Sequence, residues 1–352
     1  MEIRQIGVVG AGPLGAGIAQ ACVQSGLEVL LVDDTEQVLG YAEDMVLRGL
    51  HRAEQPAAFG LLRKATRLDK LEPCDLVIEC ASEAPEAKQD LLRRIDARVE
   101  RSCVLAVQTT ALPVSVVARA VENPERVVGL QFFHPPHITK LVELIRYEHA
   151  SEAALGVAAE LAARLGKTAV VCADRPGFVV NRVARAFYLT AMRLLEGGRG
   201  TPAAIDAALR ARGGFRAGPF EILDFFGLEE DFAVSEIVYQ LLGRPERLKP
   251  PAIEQALIVR GCRGRRNSRG FYVYGENPPG TENPLVAELA AGYNGSPEAA
   301  PAILRTVLEA VFAEAHAVVD EGIARAADVD VAMRLGLYWP KGPFEWEKEL
   351  SR

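Results

Sequence analysis

The opening stretch "IRQIGVVGAGPLGAGIAQACVQSGLEVLLVDD" restricts the fold more than any other part of the chain. It reads strand, glycine-rich turn, helix, strand. "IGVV" is a run of β-formers, and a GxGxxG turn follows it across Gly10, Ala11, Gly12, Pro13, Leu14 and Gly15. Each glycine has its own physical reason. Gly10 permits a tight turn, Gly12 lets a pyrophosphate approach the backbone, and Gly15 lets helix and strand pack closely. The free N–H groups of the helix N-terminus then point at the phosphates. The next strand, "EVLLVD", ends in Asp33, 18 residues after Gly15. A carboxylate there bonds both ribose hydroxyls and repels a 2′-phosphate, so the expected cofactor is NAD rather than NADP.

Further units alternate in the same way. "CDLVIECA", "CVLAVQTT" and "RVVGLQFF" read as strands, "EAPEAKQDLLRRIDARV" and "SVVARAV" as helices, and "AALGVAAELAARLGKTAVVCA" adds a helix and a strand. The alternation predicts an α/β fold, a doubly wound (Rossmann) parallel sheet. Its ligand is expected beyond the carboxyl ends of the strands. Those ends carry Asp33, Cys80 to Glu83, Thr109 and Thr110, and Gln131 to His134. The last of them opens "GLQFFHPPHITKLVELI", which holds His134 and His137, with Glu143 nine residues beyond His134, in a pattern of strand, proline-stiffened turn and strand.

Composition narrows the partners. The chain has 352 residues, 49% hydrophobic and 25% charged, with a formal net charge of −7. That suits a folded protein of two or three domains. The acidic balance, with "RGRR" at Arg263–Arg266 as its basic run, argues against nucleic acid or an anionic membrane as a partner. The longest apolar runs are strand-sized, so no membrane span is expected. "MEIRQIGVVGAG" enters a strand directly and is expected to carry no signal peptide. Six cysteines without CxxC or metal spacing predict reduced thiols in a cytoplasmic protein and no metal site.

Beyond "DRPGFVVNRVARAFYLTAMRLLEGG" the pattern becomes helical. The helix expected from Val179 to Glu196 is apolar on more than one face, as a helix buried in an interface is. An internal repeat follows. "AIDAALRARGGFRAGPFEILD" (Ala204–Asp224) matches "DVDVAMRLGLYWPKGPFEWEK" (Asp328–Lys348), pairing Asp206 with Asp330 and the "GPFE" at Gly218 with that at Gly342, both 124 residues apart. The preceding helices match too, "YLTAMRLLEGG" with "FAEAHAVVDEG". Duplicated helical units bury their apolar faces against each other. The two copies are therefore expected to pack as a pseudo-dimer within one chain, and a homodimer is left open. The expected domains are a NAD-binding Rossmann domain over 1–174, a first helical copy over 175–275, a Pro/Gly/Asn-rich linker over 276–298 and a truncated second copy over 299–352.

Taken together, "GVVGAGPLGAGIAQ", "DLVIECASE", "GLQFFHPPHITKLVELI", "RPGFVVNRV", "GPFEILDFFGL" and "RRNSRGFYVY" resemble the L-3-hydroxyacyl-CoA dehydrogenases, which include 3-hydroxybutyryl-CoA dehydrogenases, over nearly the whole chain. The resemblance implies NAD-dependent interconversion of a 3-hydroxyacyl-CoA and a 3-oxoacyl-CoA in fatty-acid-type metabolism. It implies that Gly10 to Gly15 and Asp33 hold NAD, with further cofactor contacts from Glu83 and Lys88. Thr110, in the "QTTA" turn, would touch both ligands, Asn181 would lie near the substrate, and Arg266 would reach the cofactor. Without the resemblance, Lys88 reads equally as a solvated helix residue, Arg266 as a loop charge and Asn181 as a backbone cap. In single-copy members the C-terminal domain is a dimer interface, and the second copy here looks like the duplicated C-terminal domain of longer members.

One departure bears on catalysis. The family's dyad is a histidine at the end of the "GL-FF" strand and a glutamate in "KLVE". Glu143 is present, but the histidine position holds Gln131, and His134 stands where the family has an asparagine. An amide does not titrate, and positioned acid–base help is worth roughly 10²–10⁴ in rate. Three readings follow. His134 serves as base beside the nicotinamide and pairs with Glu143. Alternatively, the chain is a dehydrogenase of a different carrier-bound or small hydroxy acid, with His137 or a water as base. In the third reading it is a NAD-binding pseudoenzyme in which Glu143 pairs with Lys140 or a backbone donor. A second departure concerns CoA. Asp34 to Leu71 is shorter than the family's CoA-contacting excursion, leaving Arg48, Arg52 and Lys64 as phosphate contacts or as a solvated face.

Overall fold

Short runs of β-branched and leucine residues form inner strands that are buried on both faces, as expected of a sheet covered by helices on each side, while the two edge strands are partly exposed. In the computed structural model, which describes residues 3–275, 280–290 and 298–351, they build the first of two compact units, Met1–Phe178 and Val179–Arg352. The first unit runs β1 (Gln5–Val9), α1 (Pro13–Gln24), β2 (Glu28–Val32), α2 (Glu36–Arg52), β3 (Leu62–Ala65), β4 (Leu76–Glu79), α3 (Pro85–Asp96), β5 (Val104–Val107), α4 (Val114–Ala118), β6 (Val127–Phe132), β7 (Leu141–Arg146), α5 (Glu152–Arg164) and β8 (Thr168–Ala173). The strand order is β3-β2-β1-β4-β5-β6-β7-β8. The order therefore reverses between β1 and β4, and the glycine turn that ends β1 opens into that crevice. Ile6, Val8, Leu31, Leu76, Leu130 and Leu161 belong to the core that joins sheet and helices.

The expectation of a parallel sheet needs one correction. β7 runs antiparallel to β6, while the other neighbouring pairs of this sheet are parallel. A parallel return needs a crossover of a dozen or more residues, and residues 133–140 are too few. The strand after the "HPPHITK" turn must come straight back. Its register sets Gln131 opposite Glu143.

The second unit holds α6 (Val180–Glu196), α7 (Pro202–Gly213), α8 (Pro219–Phe226), α9 (Leu228–Leu241), α10 (Ala252–Val259), β9 (Tyr272–Val273), β10 (Thr281–Glu282), α11 (Pro284–Leu289), α12 (Ala300–Asp320), α13 (Ala326–Gly336) and α14 (Pro343–Leu350). α6 packs on α12. The stretch expected to be a linker carries β10 and α11 in its described part, because "TE" pairs with Tyr272–Val273 and the Asn283 amide donates to the Gly270 carbonyl at 2.7 Å; the rest of it lies outside the described residues.

The repeat has a physical basis in helix capping. Asp206 accepts from the Phe220 N–H at 3.0 Å, and Asp330 from the Phe344 N–H at 2.9 Å. Glu221 accepts from the Gly218 N–H and Glu345 from the Gly342 N–H, each at 2.8 Å. Gly214 and Tyr338, also equivalent, both have positive φ, +71° and +56°. Phe215 and its equivalent Trp339 meet edge to face at 5.4 Å, with Phe187 against both. Beyond α8 the copies diverge. Asp224 accepts from the Phe271 N–H (2.8 Å), the Tyr272 N–H (2.9 Å) and the Tyr274 hydroxyl (2.8 Å), fastening the β9 segment to α8.

Candidate functional site

The glycine turn has the shape its sequence requires. Gly10 has φ +103°, and a Cβ on it would stand 2.7 Å from the Ala81 backbone; one on Gly15 would stand 1.8 Å from the Gly10 carbonyl oxygen. Gly12, the N-cap of α1, has nothing within 4 Å of the place a Cβ would take. Two of the three glycines are thus forced by packing, and the third faces open space, the arrangement a pyrophosphate needs. Asp33 accepts from the Ala11 N–H at 2.7 Å and from the Asp34 N–H at 2.9 Å, which fixes its carboxylate at the end of β2. Gly10, Asp33, Thr66, Arg67 and Leu68 help to line a cavity of ≈ 340 Å³, within the range of small-molecule sites. Three arginines, Arg67, Arg94 and Arg98, also line it; Asp69 holds the Arg67 guanidinium through two bonds, at 2.9 and 3.0 Å, and Arg94 lies 3.8 Å from Asp90. These residues fit NAD.

Two turns beside the cradle are tied together by Glu83. It accepts from the Thr109 hydroxyl (2.8 Å), the Thr110 N–H (3.0 Å) and the Thr110 hydroxyl (3.2 Å). Glu83 and Thr110, both expected at the site, are therefore brought together. Lys88 is not the solvated residue that its charged helix alone suggests. It is fully buried, with its ammonium donating to Glu79 at 2.5 Å and to the Gln108 carbonyl at 2.8 Å. It neutralises a carboxylate that burial pushes above the usual range. Glu79 also accepts from the Ala81 N–H at 2.9 Å, so the pair shapes the turn that packs on Gly10. The Gln108 side chain in turn accepts from the Phe132 N–H at 2.6 Å. Sequence reading overlooked Glu79 and Gln108; the only available signal was a polar residue closing an apolar strand.

At the end of β6, Gln131 and Glu143 face each other across the strand pair, both buried. Glu143 is thus set opposite Gln131 and not opposite His134. The Gln131 Oε1 has no hydrogen-bond donor among the described residues. His134 and His137 lie exposed on the turn. Partial burial lowers the pKa of each below the usual imidazole value, with the neighbouring His134 and Lys167 charges adding to the effect at His137. The turn is seated on α1, since a Cβ on Gly17 would come within 2.7 Å of Pro136. Lys167, not foreseen, braces it from below by donating to the Pro136 carbonyl and, at 2.6 Å, to the Thr139 carbonyl. Lys64 pairs with Glu43 at 2.6 Å, while Arg48 and Arg52 are exposed.

The other two expected site residues belong to the second unit. Asn181 is half-buried in the first turn of α6. Arg266 is exposed and pairs with Glu230 at 2.5 Å. No group of His, Cys, Asp and Glu among the described residues is placed to hold a metal.

The 3-hydroxyacyl-CoA dehydrogenase NAD-binding domain matches residues 5–175, and the C-terminal domain of the same family matches residues 177–274 and 303–351. The chain belongs to the 3-hydroxyacyl-CoA dehydrogenase family. It is 35% identical over 281 residues to an Escherichia coli (strain K12) 3-hydroxyadipyl-CoA dehydrogenase, a match covering 77% of this chain but only 59% of that protein. A Mycobacterium tuberculosis 3-hydroxybutyryl-CoA dehydrogenase is 34% identical over 283 residues, 77% of this chain and 99% of the relative. The crystal structure of a 3-hydroxybutyryl-CoA dehydrogenase from Escherichia coli K12 superposes with a TM-score of 0.89 at 27% identity, covering 99% of this chain and 92% of that one. As in the family, the cofactor is NAD and the chemistry oxidoreduction.

Proposed function

We propose that the chain interconverts a 3-hydroxyacyl-CoA and its 3-oxoacyl-CoA, with bound NAD supplying the hydride acceptor. The reading rests on the orphaned Gln131 Oε1, a buried acceptor at the family's dyad position. A buried acceptor without a donor costs about 1–3 kcal/mol, and a substrate 3-hydroxyl is a donor of the right kind. Gln131 thus orients the hydroxyl but cannot take its proton. His134 is the proposed base. Its lowered pKa keeps the imidazole neutral near pH 7, and its exposure on the turn lets a proton pass to solvent. Gly10 to Gly15 would hold the pyrophosphate and Asp33 the ribose, while Glu83 fixes the Thr110 turn. Turnover of acetoacetyl-CoA with NADH, run beside calorimetric NAD binding, tests the proposal.

Gln131 also favours a second reading, a NAD-binding protein with little catalysis. Binding without turnover, with activity created by Gln131→His, would select it. We further propose the division into a Rossmann domain over 1–174 and two helical copies over 175–275 and 299–352, the copies packed as an intrachain pseudo-dimer. The contact of α6 with α12 and of Phe215 with Trp339 supports that packing. The six free thiols suit a reducing cytoplasm. Among the described residues, no helix is long and apolar enough to cross a membrane.

A further inference from the structure

The two equivalent helices of the second unit carry opposite charges at positions that the repeat relates, and we propose that this segregation selects pairing between the two unlike copies over pairing of like copies from two chains. The inference rests on the pseudo-dimer reading above.

On α6 the charge is Arg182, and the same position on α12 is Thr306. On α12 the charge is Glu314, and the same position on α6 is Thr190; Glu321 corresponds to Gly197. Arg182 and Glu314 meet with their side chains 0% and 1% exposed. The Arg182 Nε donates to Glu314 at 2.7 Å, and the guanidinium forks onto Glu321 through two bonds of 3.0 Å. Arg247, also on the first-copy side, donates to the second Glu314 oxygen at 2.7 Å. The bases in this network thus come from the first copy, and the acids from the second.

A twofold relation between the copies makes contacts reciprocal. The contact of position 182 with 314 implies one of 306 with 190, and that of 182 with 321 implies one of 306 with the 197 region. Arg199, two residues beyond Gly197, does donate to the Thr306 hydroxyl at 3.3 Å. In a first-copy homodimer each Arg182 would therefore meet Thr190, and two guanidinium groups would be buried without an acid. In a second-copy homodimer each Glu314 would meet Thr306. Leaving a buried charge without its partner weakens an association by roughly 10²–10⁴-fold. Stability alone gives no reason for the ion pair, since apolar packing of similar volume does as well. Discrimination between partners does give one, because specificity is a difference of affinities.

The test uses the full chain in sedimentation velocity across a range of concentrations. Thr190→Glu gives the first copy its own acid for a homotypic pair, while within its own chain the new carboxylate faces Thr306. A species of twice the wild-type mass should appear, with a lowered melting temperature. In Thr190→Glu/Thr306→Arg both copies carry both charges. The intrachain partner, at a roughly millimolar effective concentration, should then win and restore the wild-type mass and melting temperature. If Thr190→Glu keeps the wild-type mass and melting temperature, or if the double variant fails to recover, the proposal is overturned. The underlying pseudo-dimer is tested separately by oxidising Phe215→Cys/Trp339→Cys. Cross-links found only between chains would overturn intrachain packing, yet leave the choice of unlike copies standing.

Discussion

Replacing Lys88 with methionine separates a structural brace from a cofactor contact. The wild-type ammonium is fully buried, 2.5 Å from Glu79 and 2.8 Å from the Gln108 carbonyl. Methionine fills a similar volume but leaves the Glu79 carboxylate buried without its cation. Breaking such a pair costs about 3–5 kcal/mol. For a unit the size of Met1–Phe178, that corresponds to a fall in melting temperature of about 6–20 °C. The loss should also depend on pH. Burial already raises the folded-state pKa of Glu79, and removal of Lys88 raises it further. A carboxyl with a raised folded pKa favours the fold below its unfolded pKa, and that advantage is lost as pH rises through the folded value. The deficit of Lys88→Met should therefore be smallest near pH 5 and larger at pH 8. Calorimetric melts of the cofactor-free protein at the two pH values measure it. Glu79→Gln/Lys88→Met should recover much of the loss, since no charge is left buried. A Lys88→Met protein that melts with the wild type while losing NAD affinity would refute the reasoning and return Lys88 to the cofactor.

Three other outcomes are expected. NAD should bind at least roughly tenfold more tightly than NADP, about 1.4 kcal/mol, because the carboxylate of Asp33, at the ribose as proposed, would repel a 2′-phosphate and Arg67 is already held by Asp69; Asp33→Ser should narrow the ratio in calorimetric titrations. His134→Ala should lower kcat for 3-hydroxybutyryl-CoA oxidation by about 10²-fold or more with NAD affinity little changed, and Gln131→Ala should lower it less. The acid limb of the kcat profile should fall below the usual imidazole pKa of about 6.5, because a neutral His134 is needed to accept the proton and burial lowers its pKa; a limb above that value would point to another base.

The sequence made the cradle legible because each residue of GxGxxG answers a local steric demand, and the structure repeats those demands as contacts at Gly10 and Gly15. The 124-residue repeat was legible for a similar reason, since Asp206 and Asp330 cap the helix that begins at each "GPFE". Pairings across strands were harder to read. Glu143 lies nine residues from His134 in the chain, yet the register gives it to Gln131. Lys88 looked like any lysine on a charged amphipathic helix, and its burial depends on the carboxylate of Glu79 at the end of the preceding strand. Lys167 gave no signal at all, because its partners are backbone carbonyls.

Asp224 has a consequence for what the duplication supplies. It draws the Phe271 and Tyr272 N–H groups and the Tyr274 hydroxyl onto α8, and a Cβ on Gly264 or Gly270 would collide with it at 2.3 or 1.9 Å. At the matching place on α14 stands Lys348, an exposed cation. An ammonium accepts no hydrogen bond, so a second "RGFYVY" segment grafted behind α14 would find nothing to grip. The chain owns two helical scaffolds but one fastening point, and the Arg266 turn can be presented from only one of them.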